Sequence, residues 1–146
     1  MKFDASQHRC TILIDKELPT GLAMNAASII GISFGQTVEN LIGPAMQSLD
    51  KIIYPGVIYS PLPVLLASNE YLLEVQTHAE SDDDLYIMPF SALAQSCRTY
   101  EEYGEKISSV NSKNIKLVAI GLIGPKNEID KNNRKPPPLQ IIYFIL

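Results

Sequence analysis

The chain has little of what most directly announces a chemistry. Charged residues make up 19% of its 146 positions, below the usual level of about 25%. Lys and Arg are scattered apart from one cluster at residues 131–135, and the formal net charge is −4. Nucleic-acid binders carry a basic stripe or patch, so this balance disfavours tight binding of tRNA or other RNA. The two cysteines, Cys10 and Cys97, form no C-x-x-C pair. The polar stretch at residues 1–9 lacks the character of a secretory signal. No apolar run reaches the roughly 18 residues of a membrane helix. Together these features predict a cytoplasmic chain with reduced thiols and no membrane partner. The two histidines, His8 and His78, stand in no motif with a nucleophile or a metal ligand, and both are expected at the surface. No G-x-G-x-x-G or Walker A sequence is present, which weighs against nicotinamide and ATP chemistry. No cofactor is expected.

What the chain does have is material for a core. Apolar residues make up 46%, enough for a single domain over residues 1–146. Residues 10–14 (C-T-I-L-I), 62–67 (L-P-V-L-L-A), 85–89 (L-Y-I-M-P) and 115–123 (I-K-L-V-A-I-G-L-I) are short apolar runs with the length and branching of buried strands. The last is the longest and is expected at the centre of a sheet. Between them lie helical stretches. Residues 22–31 are rich in small residues, with Thr20 as the expected N-cap, Gly21 at the start, and Gly31 and Gly35 as stops. Residues 70–80 follow Ser68 or Asn69 as cap, and residues 90–97 and 99–110 read as two further helices, the second capped by Thr99. Residues 37–43 suggest a short strand, and residues 44–60 a loop excursion with a hairpin about Tyr54-Pro55-Gly56. Residues 128–135 read as a charged turn. Residues 139–146, beyond Pro136-Pro137-Pro138, read as an added strand. Strands alternating with helices predict an α/β domain with a mostly parallel sheet.

Two stretches carry a resemblance. Residues 10–27, C-T-I-L-I-D-K-E-L-P-T-G-L-A-M-N-A-A, join a strand, an acidic turn, a Gly and a small-residue helix. Residues 119–130, A-I-G-L-I-G-P-K-N-E-I-D, form a strand, a Gly-Pro stop and an Ile-Asp. Both resemble the type II peptidyl-tRNA hydrolase superfamily. The Tyr100-Glu101-Glu102-Tyr103 segment resembles a bacterial family of uncharacterised relatives of that enzyme. The resemblance implies a three-layer α/β/α domain with a mixed, mostly parallel sheet of about four core strands, and a homodimer. It also locates departures. Where the hydrolases place a Lys after the helix-opening Gly, this chain has Leu22. At the spacings of their helical Gln and His stand Ala26 and Ile29. Their acidic residue and Thr past the third strand are replaced in the segment Pro89-Phe90-Ser91. These departures predict loss of the hydrolase's catalytic set.

The candidate site residues gather at the first strand-helix junction. Open α/β sheets take ligands at the carboxyl ends of strands, and a helix N-terminus presents free N–H donors to an anion or carbonyl. Gly21 opens that helix, and Asn25 is its one amide among small and apolar residues. Asn25 either satisfies a neighbouring backbone group or orients a ligand. Gln95 is a candidate to face the same cleft. Asp15 and Glu17, two apart, point the same way in an extended segment, and Lys16 lies between them. Such a set is either a solvated turn or a general-base arrangement, and no third metal ligand is evident. Asp82-Asp83-Asp84 lacks the spaced ligands and Gly turn of a calcium loop and reads as solvated. Cys97 has no base beside it in the sequence and reads as structural. Tyr100 and Tyr103, three apart, share a helix face and are expected to pack on the sheet. Tyr54 and Tyr59 suit either a rim over the cleft or a dimer face.

Three readings follow. The first is a small-ligand-binding or accessory domain, with its ligand at Gly21, Asn25 and Gln95. The second is an ester or amide hydrolase acting on a peptidyl-tRNA-like substrate through Asp15, Lys16 and Asn25. The third is a dimer paired through residues 139–146.

Overall fold

The computed structural model describes residues 1–134, with side chains through Asn132. The expected strand at residues 139–146 lies outside the described residues. In chain order the elements are β1 (His8–Asp15), α1 (Thr20–Thr37), β2 (Met46–Gln47), β3 (Ile53–Tyr54), β4 (Val64–Ala67), α2 (Asn69–Glu80), β5 (Tyr86–Ser91), α3 (Ala92–Ser96), α4 (Tyr100–Ile107), β6 (Leu117–Pro125) and α5 (Lys126–Arg134).

Four strands form one sheet in the order β4-β1-β6-β5. Its direction corrects the expectation of a mostly parallel sheet. Only β1 and β4 run parallel, with Leu13 opposite Leu65. β6 lies antiparallel to both β1 and β5. The physical reason for the difference is coverage. Strands buried on both faces read as continuous apolar runs, the usual mark of parallel sheets. Here helices cover both faces of a mixed sheet, so β6 carries the same mark while running antiparallel. Pro89 falls in β5, an edge strand, where a missing N–H costs no ladder bond.

The two faces make the outer layers. Cys10, Ile12 and Ile14 pack with Ala26, Ile30 and Phe34 of α1. On the other face Leu13, Leu65 and Ala67 meet Leu72, Val75 and Ala79 of α2 and Ile129 of α5. At Gly121 of β6 the side chains of α1 fill the space a Cβ would need. A Cβ there would stand 2.4 Å from Phe34 Cζ and 2.5 Å from Ile30 Cγ2.

Several local expectations change. α1 runs through Gly31 and Gly35 to Thr37. Each interior Gly costs about 1 kcal/mol against Ala, but full burial of Ile30 and Phe34 is worth about 1.5–3 kcal/mol each, so packing wins. Thr20 is the first helical residue rather than its cap; Pro19 holds that place and supplies no side-chain hydrogen bond. Residues 37–43 form no strand of the sheet, only isolated bridges at Glu39 and Ile42. The hairpin of the excursion pairs β2 with β3, so its turn is at residues 48–52 rather than at Tyr54-Pro55-Gly56. Lys51 there adopts φ 70°. Residues 128–135, expected as a turn, lie mostly within α5, because buried Ile129 anchors a polar helix to the α2 layer.

Candidate functional site

The end of β1 is closed rather than open. Asp15 is 3% exposed, and it accepts hydrogen bonds from the Glu17 backbone N–H (2.9 Å) and from Asn69 Nδ2 (3.2 Å). Asn69, the first residue of α2, also donates to the Leu117 carbonyl at 2.8 Å. Its amide thus ties β1, α2 and β6 together at the carboxyl end of β1. Lys16 and Glu17 are exposed.

Asn25 belongs to the other layer. It lies on α1 and accepts a 3.1 Å hydrogen bond from Gln95 Nε2 of α3. The same Gln95 nitrogen donates to the Leu22 carbonyl at 2.8 Å. The structure therefore brings Asn25 and Gln95 together beside the first turn of α1, whose Gly21 is exposed. Asp15 is bonded elsewhere, on the α2 side. At the positions where the resemblance places hydrolase side chains, Leu22 is 44% exposed and Ala26 is fully buried.

Beside the Asn25–Gln95 pair, between α1, β5 and the α3–α4 segment, lies a cleft of about 420 Å³. Ile29 and Ser33, successive turns beyond Asn25, form one wall, and Met88 and Phe90 of β5 another. Cys97, Arg98 and Tyr103 complete it. The α3–α4 wall is held by its caps. Ser91 Oγ accepts from Ala94 N–H at 3.1 Å, and Thr99 Oγ1 from Glu102 N–H at 3.1 Å. Glu102 in turn accepts from Lys106 Nζ and from the Arg98 N–H. These two bonds hold its carboxyl below the usual carboxylate range. Among the described residues the Arg98 guanidinium forms no ion pair. The Cys97 thiol donates to the Leu93 carbonyl at 3.2 Å. Tyr100 and Tyr103 correct a further expectation. They stack edge to face, ring centroids 5.9 Å apart, and Tyr100 is 84% exposed instead of packed on the sheet.

Two features escaped the sequence reading. Gly31-Ile32-Ser33-Phe34-Gly35 has the G-x-S-x-G spelling of a nucleophile elbow. That motif needs a sharp strand-to-helix turn, and here it lies inside α1. The second is the approach of His78, Asp82 and Glu128 to within 4.8 Å of one another. The spacing of His78 and Asp82 was visible; Glu128 comes from a distant helix. A larger depression, about 730 Å³, lies beneath the N-terminal arm, lined by Lys2, Asp4, His8 and Tyr59 among others. Its polar groups are partly engaged with each other, Asp4 N–H with His8 Nδ1 and the Asp4 carboxyl with Ser6. Tyr59 lines this depression rather than the α1–β5 cleft, and Gly21, Asn25 and Gln95 lie outside the lining of both.

These observations define a class: an α/β/α domain with a four-stranded mixed sheet and a cleft between its first helix and an edge strand. The chain belongs to the DUF2000 family, described as proteins of unknown function, which matches residues 8–138. A solved structure of a protein of unknown function from Agrobacterium tumefaciens strain C58 is similar. It superposes with a TM-score of 0.75 at 13% identity, over 92% of this chain and 97% of that one. That likeness is one of fold. No curated protein matches the chain. Neither the family nor the similar structure supplies a link to peptidyl-tRNA hydrolases. Among the described residues no helix is long and apolar enough to cross a membrane.

Proposed function

We propose that the chain is a small-ligand-binding domain rather than a tRNA hydrolase. Its ligand occupies the cleft between α1, β5 and α3–α4, one turn of α1 beyond the Asn25–Gln95 pair. The observation that carries this reading is the lining of the cleft. Ligand pockets are commonly 300–1,000 Å³, mostly apolar, with a few placed polar groups. Ile29, Met88, Phe90 and Tyr103 supply the apolar part at about 420 Å³. Arg98, without an ion pair among the described residues, supplies a cation suited to a carboxylate or phosphate. The fitting ligand is a small molecule with an apolar or aromatic body and one anionic end. Titration with small aromatic carboxylates tests it. Saturable binding that weakens at least about tenfold in Arg98→Ala, the loss of one charge-assisted pair, is the expected result. Equal binding by the variant contradicts the reading.

The hydrolase alternative needs Asp15, Lys16 and Asn25 to converge. Asp15 is instead bonded to Asn69 and Asn25 to Gln95, which weighs against it. Incubation with peptidyl-tRNA is expected to release no peptide. Release that disappears in Asn25→Ala or Asp15→Ala would restore the alternative.

Homodimerisation is favoured by one surface. The β2–β3 arm exposes Met46, Leu49, Ile52, Ile53, Tyr54 and Val57, with Leu49 fully exposed. Groups of exposed apolar side chains close in the chain commonly mark interaction sites. The partner we assign to it is a second copy of this chain.

A further inference from the structure

On the face of the sheet opposite the cleft, three side chains with metal-ligand chemistry converge from two helices. His78 lies in the last turn of α2, Asp82 in the turn after it, and Glu128 in the first turn of α5. His78 Nε2 stands 3.6 Å from Glu128 Oε2 and 4.0 Å from Asp82 Oδ2. The donor atoms of all three lie within 4.8 Å of one another. With metal–ligand bonds of about 2.0–2.2 Å, donors around a tetrahedral ion are about 3.4 Å apart, so small side-chain rotations close the set. The backbone beneath it is anchored. Ile129, next to Glu128, is fully buried against Leu72, Val75 and Ala79, and the Tyr71 hydroxyl donates to the Asn132 carbonyl. These contacts fix α5 on α2 and hold Glu128 over His78.

We propose that His78, Asp82 and Glu128 form a binding site for a divalent cation of the zinc class. One imidazole and two carboxylates offer a −2 set to a 2+ ion, and the imidazole selects zinc or cobalt over magnesium or calcium. Three protein ligands leave a fourth position open. His78 and Glu128 also line a cavity of about 210 Å³, together with Glu74 and Lys131. The site is separate from the proposed ligand cleft and stands or falls without it.

The test is titration of the full-length, tag-free, chelator-stripped protein with Zn²⁺ by calorimetry. A separate metal-free sample takes Co²⁺ for paramagnetic NMR. One saturable site is expected, with Co²⁺ broadening centred on His78 and Glu128. His78→Ala and Glu128→Gln should each weaken binding at least about tenfold, with the helical circular dichroism retained. His8→Ala should bind as wild type. Absence of saturable binding, wild-type affinity in His78→Ala, or broadening centred on His8 would each overturn the proposal.

Discussion

Asp15→Asn is the substitution that best separates a structural from a catalytic end of β1. The native carboxyl accepts twice, from the Glu17 N–H at 2.9 Å and from Asn69 Nδ2 at 3.2 Å. Asn69 spends its other proton on the Leu117 carbonyl at 2.8 Å. An amide at position 15 has one acceptor and one donor. In one orientation its NH2 faces the NH2 of Asn69, and in the other it faces the Glu17 N–H. Asn69 cannot flip in response without removing the donor to Leu117. Either way a buried donor loses its acceptor, which costs about 1–3 kcal/mol. For a chain of this length that lowers the Tm by about 3–12 °C. Thermal and urea unfolding followed by circular dichroism measure it. An Asp15→Ala/Asn69→Ala double-mutant cycle should show a coupling of about 0.5–3 kcal/mol. An unchanged Tm, or lost ligand binding in a variant of wild-type stability, would refute the reasoning.

Three further outcomes are expected. Gly121→Ala drives a methyl into Phe34 and Ile30. It should destabilise by about 1–3 kcal/mol in urea unfolding, and Phe34→Leu in the same chain should recover part of that loss. Burial pushes the Cys10 thiol from its ordinary value of 9.0 up to about 12. The unfolded chain therefore loses this proton before the folded one does, and stability falls as pH rises from about 9 to 12. Cys10→Val should flatten that part of the stability–pH curve, and in the native protein iodoacetamide should modify Cys97 before Cys10, as read by mass spectrometry. Leu49→Glu with Ile53→Glu on the β2–β3 arm should shift the protein to monomer in analytical ultracentrifugation while leaving its Tm within about 2 °C, as exposed sites allow.

The sheet was legible wherever burial dominates composition. β1, β4, β5 and β6 all overlap apolar runs, and the Ser68 and Thr99 caps mark the starts of α2 and α4. Direction was not legible, because an antiparallel strand covered on both faces looks like a parallel one. Gly31 and Gly35 concealed the length of α1, whose persistence depends on Ile30 and Phe34 meeting a sheet distant in sequence. α5 was hidden by its polarity, since one buried residue, Ile129, decides it. The candidate site divided in the same way. Asn25 and Gln95 stood out as amides among small residues, yet their hydrogen bond spans 70 positions. Asp15 looked like a base because the sequence does not show Asn69 folding back to cover it. Arg98 carried no signal, and Tyr103 read as a packing residue, before α3 and α4 placed them on one cleft.

The cleft walled by α1, β5 and α3–α4 is the proposed ligand site. Protein-observed NMR during titration with small aromatic anions tests it most directly. Shifts are expected to concentrate at Ile29, Ser33, Phe90, Cys97, Arg98 and Tyr103, and to extend to Asn25 and Gln95. Shifts concentrated instead at Lys2, His8 and Tyr59, beneath the N-terminal arm, would contradict it.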